Sequence, residues 1–170
     1  MAKIILDTNV ILAAFASRGL CNSIFELCLD RYEIVISEEI LEELARNMHD
    51  KIKLPASKTK HIITFLKENC IVSKIHEADK SKCEDKNDLH ILGLAQKSGA
   101  KYVITGDKDL LKTKVYKNTK FVAPRDLWEI NRKNFSDYIN IVNKFIAVLI
   151  GKVCKKNNTS GINDKIWNNR

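Results

Sequence analysis

Two periods of apolar residues alternate along the chain. Ile4-Ile5-Leu6 and Tyr102-Val103-Ile104 are continuous apolar runs too short for helices. They read as strands buried on both faces, as in a parallel sheet. Each stops at a polar cluster, Asp7-Thr8-Asn9 in one case and Thr105-Gly106-Asp107 in the other. Glu33 to Ile36 reads as a strand, and Cys70 to Ile75, with weak alternation, as another. Between strands the period becomes helical. Val10 to Ser17 and Leu20 to Arg31 are helix-compatible and are separated by Gly19. Ile40, Leu41, Leu44, Ala45 and Met48 form an i, i+4 stripe behind Ser37. Ser37 is an N-cap residue type, with Glu38 and Glu39 in the first turn, where the helix dipole favours acids. Pro55 ends this region, and Ser57 is expected to cap a helix that turns Ile62, Ile63 and Leu66 inward. His76 to Lys86 reads as a loop, Asn87 to Ser98 as a helix, and Gly99 as its C′ residue. Lys108 to Lys120 reads as a basic irregular connection, Lys120 to Ala123 as a short edge strand, and Pro124 as the start of a short helix.

Strands alternating with helices predict an α/β protein, a three-layer α/β/α sandwich around a mostly parallel sheet. The expected domain covers residues 1–132. Residues 133–170 are expected to hold a helix over Phe135 to Ile150, stopped by Gly151, and a basic, partly disordered tail. The apolar stretch from Ile139 to Ile150 contains Asn140, Asn143 and Lys144, so it is too short and polar to span a membrane. Within 170 residues, 45% are hydrophobic and 29% charged, a balance suited to a soluble globular chain. The net charge of +8 favours an anionic partner, nucleic acid first. The five cysteines form no Cys-x-x-Cys pair, which argues against a zinc or thioredoxin-like motif. Cys21 and Cys28 share a helical face and read as small core residues. An odd, scattered set fits a reducing cytoplasm.

The candidate chemistry lies in the acids. In a parallel α/β fold, strand C-termini and helix N-termini share one edge of the sheet, where sites form. Asp7 and Asp107 close strands. Asp88 opens a helix and shares a face with Ile91, Leu92 and Ala95, although Asp85 or Asp88 would also serve as a cap. Glu42 and Glu43 lie beyond the Ser37 cap and flank the apolar stripe on opposite sides. Three or four carboxylates at one edge repel each other unless a cation neutralises them. Oxygen donors suit Mg²⁺ or Mn²⁺, and His90, two residues beyond Asp88, is expected to point away. A metal-activated water points to phosphodiester hydrolysis. Asp7, Asp88 and Asp107 would hold the metal, and a glutamate would hold a second ion or orient water. Asn9 would position a ligand, the Thr105 hydroxyl would lie near the metal shell, and Asp109 would be an outer ligand or a cap. Arg18, Lys86, Lys108, Lys112, Lys114 and Lys117 are candidates for substrate phosphates. Taken singly, each also reads as a solvated surface residue.

Asp7-Thr8-Asn9, Ser37 with Glu43-Leu44, Asp85-Lys86-Asn87-Asp88 and Thr105-Gly106-Asp107-Lys108-Asp109-Leu110-Leu111 together resemble the PIN-domain nucleases. Within that family they are similar to the VapC-type toxins of toxin–antitoxin systems. Lys86 stands where that branch carries Pro, and Leu89 where relatives place Asp or Asn. The resemblance covers roughly residues 1–130. It implies a sheet of about five parallel strands and a Mg²⁺- or Mn²⁺-dependent ribonuclease. It also implies an acidic set of Asp7, Glu43, Asp88 and Asp107, and so selects Glu43 over Glu42. RNA, an antitoxin protein and a second copy of the chain are the implied partners. The alternative is a non-catalytic PIN-fold module that binds RNA or protein. A dehalogenase-type phosphotransferase is disfavoured by Asn9, where a second Asp belongs. A receiver domain lacks its phosphorylatable Asp, and no glycine-rich dinucleotide turn or P-loop is present.

Overall fold

The two strands that end in aspartate lie side by side at the centre of the sheet. The computed structural model describes residues 1–74 and 86–132, with side chains for all but 86–88. Strand β1 (Ala2–Leu6) pairs in parallel with β4 (Tyr102–Ile104) on one side and β2 (Tyr32–Ile36) on the other. Ile4, Ile5 and Leu6 are at most 1% exposed. Both faces of β1 are covered, which is why its sequence runs apolar instead of alternating. Each such side chain contributes roughly 1.5–3 kcal/mol through burial.

Beyond β2 lies β3 (Ile71–Val72), and beyond β4 lie β6 (Thr119–Val122) and β5 (Val115–Tyr116). The order is β3-β2-β1-β4-β6-β5, parallel throughout except for the antiparallel β5–β6 pair. The sheet thus has six strands where about five were expected. The extra strand comes from the segment read as irregular. That segment holds a short helix α6 (Lys108–Lys112) and a hairpin whose two-residue loop is Lys117-Asn118. Lys117 takes a φ of 52° in that loop, a left-handed conformation that Gly or Asn usually supplies. Strand β6, expected at the edge, is internal, and β5 is the edge. Of the strand expected over Cys70 to Ile75, the described residues 70–74 form a strand only at Ile71 and Val72. Both are exposed on the other edge of the sheet.

Helices flank the sheet. Between β1 and β2 run α1 (Thr8–Ala16) and α2 (Leu20–Arg31), bent by 109° about the intervening Ser17-Arg18-Gly19. Helix α3 (Glu38–Asp50) begins where expected: the buried Ser37 hydroxyl accepts the Ile40 amide at 3.3 Å. Its stripe of Ile40, Leu41, Leu44 and Met48 is buried in the core. Helix α4 (Ala56–Asn69) starts two residues earlier than Ser57 suggested. Pro55 is extended at its N-cap and its carbonyl accepts the Thr59 amide, so Ser57 sits inside the first turn. Helix α5 (Lys86–Ser98) closes at Gly99, whose φ of 64° fits the expected C′ position. Residues 124–129 are helical after Pro124. No single helix among the described residues is long and apolar enough to cross a membrane.

The chain divides into two compact units, Met1–Glu129 and Ile130–Arg170. In the second unit only residues 130–132, which are helical, are described. The helix expected over 135–150, the tail from 152 and the loop expected over 76–86, except for Lys86, which opens α5, fall outside the described residues.

Candidate active site

Strand β1 delivers Asp7 to the carboxyl edge of the sheet, and the chain turns there into α1. The Asp7 carbonyl accepts the Val10 and Ile11 amides at 2.9 and 3.1 Å, which starts the helix. Its carboxylate makes no cap. Instead Asp7 Oδ2 accepts the Thr105 hydroxyl at 2.6 Å, from the end of the neighbouring strand β4. Thr105 is fully buried, and its Oγ1 also accepts the Asp107 amide at 2.9 Å. One threonine therefore ties both acidic strand ends together. Asp107 in turn caps α6, its Oδ1 accepting the amides of Asp109 at 2.7 Å and Leu110 at 3.3 Å.

Glu43 arrives from α3, which packs against α1. Its Oε2 accepts the hydroxyl of Thr8 at 2.7 Å, and its Oε1 accepts the Asn47 side-chain amide at 3.5 Å. Thr8 follows Asp7 directly, so the Asp-Thr pair places one carboxylate and orients a second. Asp7, Glu43 and Asp107 all line a single open cavity of about 430 Å³. Asn9 lines it as well, while Glu42 does not and is exposed. Burial raises the pKa of Asp7 above its ordinary value. The negative charges of Glu43 and Asp107 push it further up, against the lowering effects of Thr105 and the Asn9 amide.

Thr105→Val tests this arrangement. The change keeps the shape but removes the donor to Asp7 and the acceptor for Asp107. The metal-free protein is expected to lose about 1–3 kcal/mol near neutral pH, by denaturant unfolding. Asp7 is expected to titrate still higher. An unchanged midpoint would mean that the hydroxyl does not hold the two strand ends.

The remaining candidates are dispersed. Arg18 is exposed at the bend between α1 and α2, and Lys108, Lys112, Lys114 and Lys117 are exposed. None of these five lines the cavity. Lys112 is held 2.6 Å from the Asp109 carboxylate, which lowers the pKa of Asp109 and raises that of Lys112. Asp109 is therefore neither the cap, a role taken by Asp107, nor a lining residue. Asp88 and Lys86 lie in the first turn of α5, and their side chains are outside the described set.

Four polar lining residues were not among the candidate site residues read from the sequence. Glu39, Arg46 and Asn47 share the cavity with Glu43. Their positions at −4, +3 and +4 from Glu43 put them on one face of α3, a spacing visible in the sequence itself. The fourth, His90, lines the cavity where it was expected to point away. Ile91, which the sequence places on the face of Asp88, lines it too.

Among the described residues, no group of three or more His, Cys, Asp or Glu side chains is placed to hold one metal ion. The donors facing the cavity are mainly carboxylate and amide oxygens, joined by one imidazole. That set suits a hard divalent cation better than a soft one.

A family model described as the PIN domain matches residues 3–109. The chain belongs to the PIN-domain family. PIN homologues are nucleases, and PIN nucleases generally use divalent metal ions. The PIN domain is similar in fold to several solved structures. One is VapBC2 from Rickettsia felis bound to a DNA fragment from its promoter, with 18% identity and a TM-score of 0.52 over 71% of this chain and 98% of that chain. DNA-bound VapBC from Salmonella typhimurium matches at 19% identity and a TM-score of 0.52, over 73% and 99% respectively. VapBC-1 from nontypeable Haemophilus influenzae matches at 17% identity and 0.53, over 72% and 98%. No curated protein matches the chain in sequence.

Proposed function

We propose that this PIN domain is a Mg²⁺- or Mn²⁺-dependent endoribonuclease, restrained in the cell by an antitoxin protein. The observation that carries the reading is the placement of Asp7. It is a mostly buried carboxylate in an open cavity, with Glu43 and Asp107 turned toward the same space. Such a set is self-repelling when empty and is relieved by a cation. Asp7, Glu43 and Asp107, joined by Asp88 from the start of α5, would hold it. A bound divalent ion supplies an activated water and neutralises charge on the phosphate and its leaving oxygen.

The chain's own residues fix the acids. Thr105 holds Asp7, Thr8 and Asn47 hold Glu43, and the α6 cap holds Asp107. Asn9, exposed on the first turn of α1, offers an amide to the substrate at the mouth of the cavity. The antitoxin part of the reading rests on likeness to the VapBC structures and to their toxin–antitoxin pairing. Co-expression with the product of a small adjacent reading frame is its test.

The nuclease part is tested with purified protein and a mixed pool of labelled RNAs. Cleavage in Mn²⁺ or Mg²⁺ and none in EDTA is the expected result. Intact RNA in both metals, across varied substrates, would overturn it. Retention of that RNA on the protein without cleavage would favour the binding-module alternative.

A further inference from the structure

The cavity is acidic, yet a nuclease substrate brings a chain of phosphates to it. Glu39, Glu43, Asp7 and Asp107 all repel a polyanion, and one bound cation answers only the phosphate that it contacts. Among the described lining residues, Arg46 is the only Lys or Arg. It lies three residues beyond Glu43 on α3, hence on the same face and displaced by about 4.5 Å along the helix axis. Its neighbour Asn47 donates to Glu43, whereas Arg46 makes no ion pair among the described residues. The acids within a helical turn of Arg46 are Glu42, Glu43 and Asp50. Asp50 is bonded to His49 at 2.9 Å and feels Arg46 only weakly. Arg46 is thus exposed beside the acidic set, with no ion-pair partner among the described residues to hold its guanidinium there.

The geometry points to Arg46 as a phosphate subsite of this cavity. It would take the backbone phosphate of single-stranded RNA next to the phosphodiester that is cut. A planar guanidinium meets a phosphate through two parallel hydrogen bonds, which an ammonium cannot do. A cavity of about 430 Å³ has the size of a small-ligand site, and the unpaired bases of a single strand are free to enter it. The lysines near the acidic strand end do not supply this contact, since Lys108 and Lys112 lie outside the lining. This inference rests on the nuclease reading above.

Its test is steady-state cleavage of a short labelled single-stranded RNA in Mn²⁺, across a range of KCl concentrations. Wild type is compared with Arg46→Gln and Arg46→Lys. Arg46→Gln is expected to raise KM about tenfold, with a smaller effect on kcat. The slope of log KM against log salt is expected to fall by about 0.7, the value for one phosphate of a single strand. Arg46→Lys keeps the charge, so it should keep the slope while losing part of the affinity. A merely structural Arg46, paired along the helix with Glu42 or Asp50, would leave the slope unmoved. If wild type cuts and Arg46→Gln matches it in both KM and slope, the subsite is wrong and the nuclease stands. If wild type does not cut at all, the nuclease reading falls and takes the subsite with it.

Discussion

Asp107→Asn is expected to lose cleavage by at least about 100-fold while leaving the fold as stable as before. Asp107→Ala is expected to lose the same activity and, in addition, about 1 kcal/mol of stability. The difference separates two roles of one side chain. As a cap, Asp107 needs only an oxygen that accepts the amides of Asp109 and Leu110, and an asparagine oxygen serves. As a member of the acidic set it needs its charge, which asparagine lacks. Loss of a residue supporting a metal ligand already costs 10- to 100-fold, so loss of a ligand should cost no less. Denaturant unfolding and RNA cleavage on the two variants measure both halves. If Asp107→Asn cuts RNA like wild type, Asp107 is a cap and nothing more.

Asp7→Asn should make the metal-free protein more stable at neutral pH. Burial and two neighbouring carboxylates raise the Asp7 pKa in the folded state above its ordinary 3.8. The folded protein therefore holds that proton more tightly than the unfolded chain does. The stability this contributes is complete below pH 3.8 and is lost as pH rises through the folded-state value. Asparagine mimics the neutral acid and still accepts the Thr105 hydroxyl. Wild type and variant should match at low pH and then diverge, with the variant ahead at pH 7 to 8. Adding Mn²⁺ should reverse the order, because a ligand that binds only the folded state stabilises it and the variant binds it less well. Unfolding series in EDTA and in Mn²⁺, from pH 3.5 to 8, follow both effects. A variant less stable than wild type in EDTA at pH 7 would contradict the electrostatic account of the cavity.

The sequence was most legible where local and tertiary demands agree. Ile4-Ile5-Leu6 and Tyr102-Val103-Ile104 are apolar throughout because both faces are covered, and they end where the chain must meet water. Ser37 reads as a cap because a serine followed by Glu38 and Glu39 marks a helix start, and its hydroxyl does accept the Ile40 amide. The β5–β6 hairpin was hidden because its loop is Lys117-Asn118. The left-handed turn there carries no glycine to announce it. Periodicity left Glu42 and Glu43 equivalent. The structure distinguishes them through Thr8, a contact 35 residues distant in sequence that no local pattern contains.

The expectation for His90 failed for a geometric reason. Residues two apart on a helix point about 200° apart, so taking Asp88 as the centre of the cavity face sends His90 away. Among the residues of α5 with described side chains, His90 lines the cavity beside Ile91, so the face turned to it is wide enough to include His90. Glu39, Arg46 and Asn47 were readable from their spacing to Glu43. Acidity alone does not single them out, because Arg46 and Asn47 are not acids and Glu39 reads as a first-turn residue that suits the helix dipole. That face of α3 is also where the substrate side of the site is now placed.

The most direct measurement is cleavage of one labelled RNA pool by wild type and Asp7→Asn, purified side by side and assayed in Mn²⁺ with an EDTA control. Cleavage by wild type alone, stopped by EDTA, is the predicted result and puts the hydrolysis in the Asp7 cavity. Equal cleavage by the variant would contradict it, because an activity that survives the loss of Asp7 does not belong to this site.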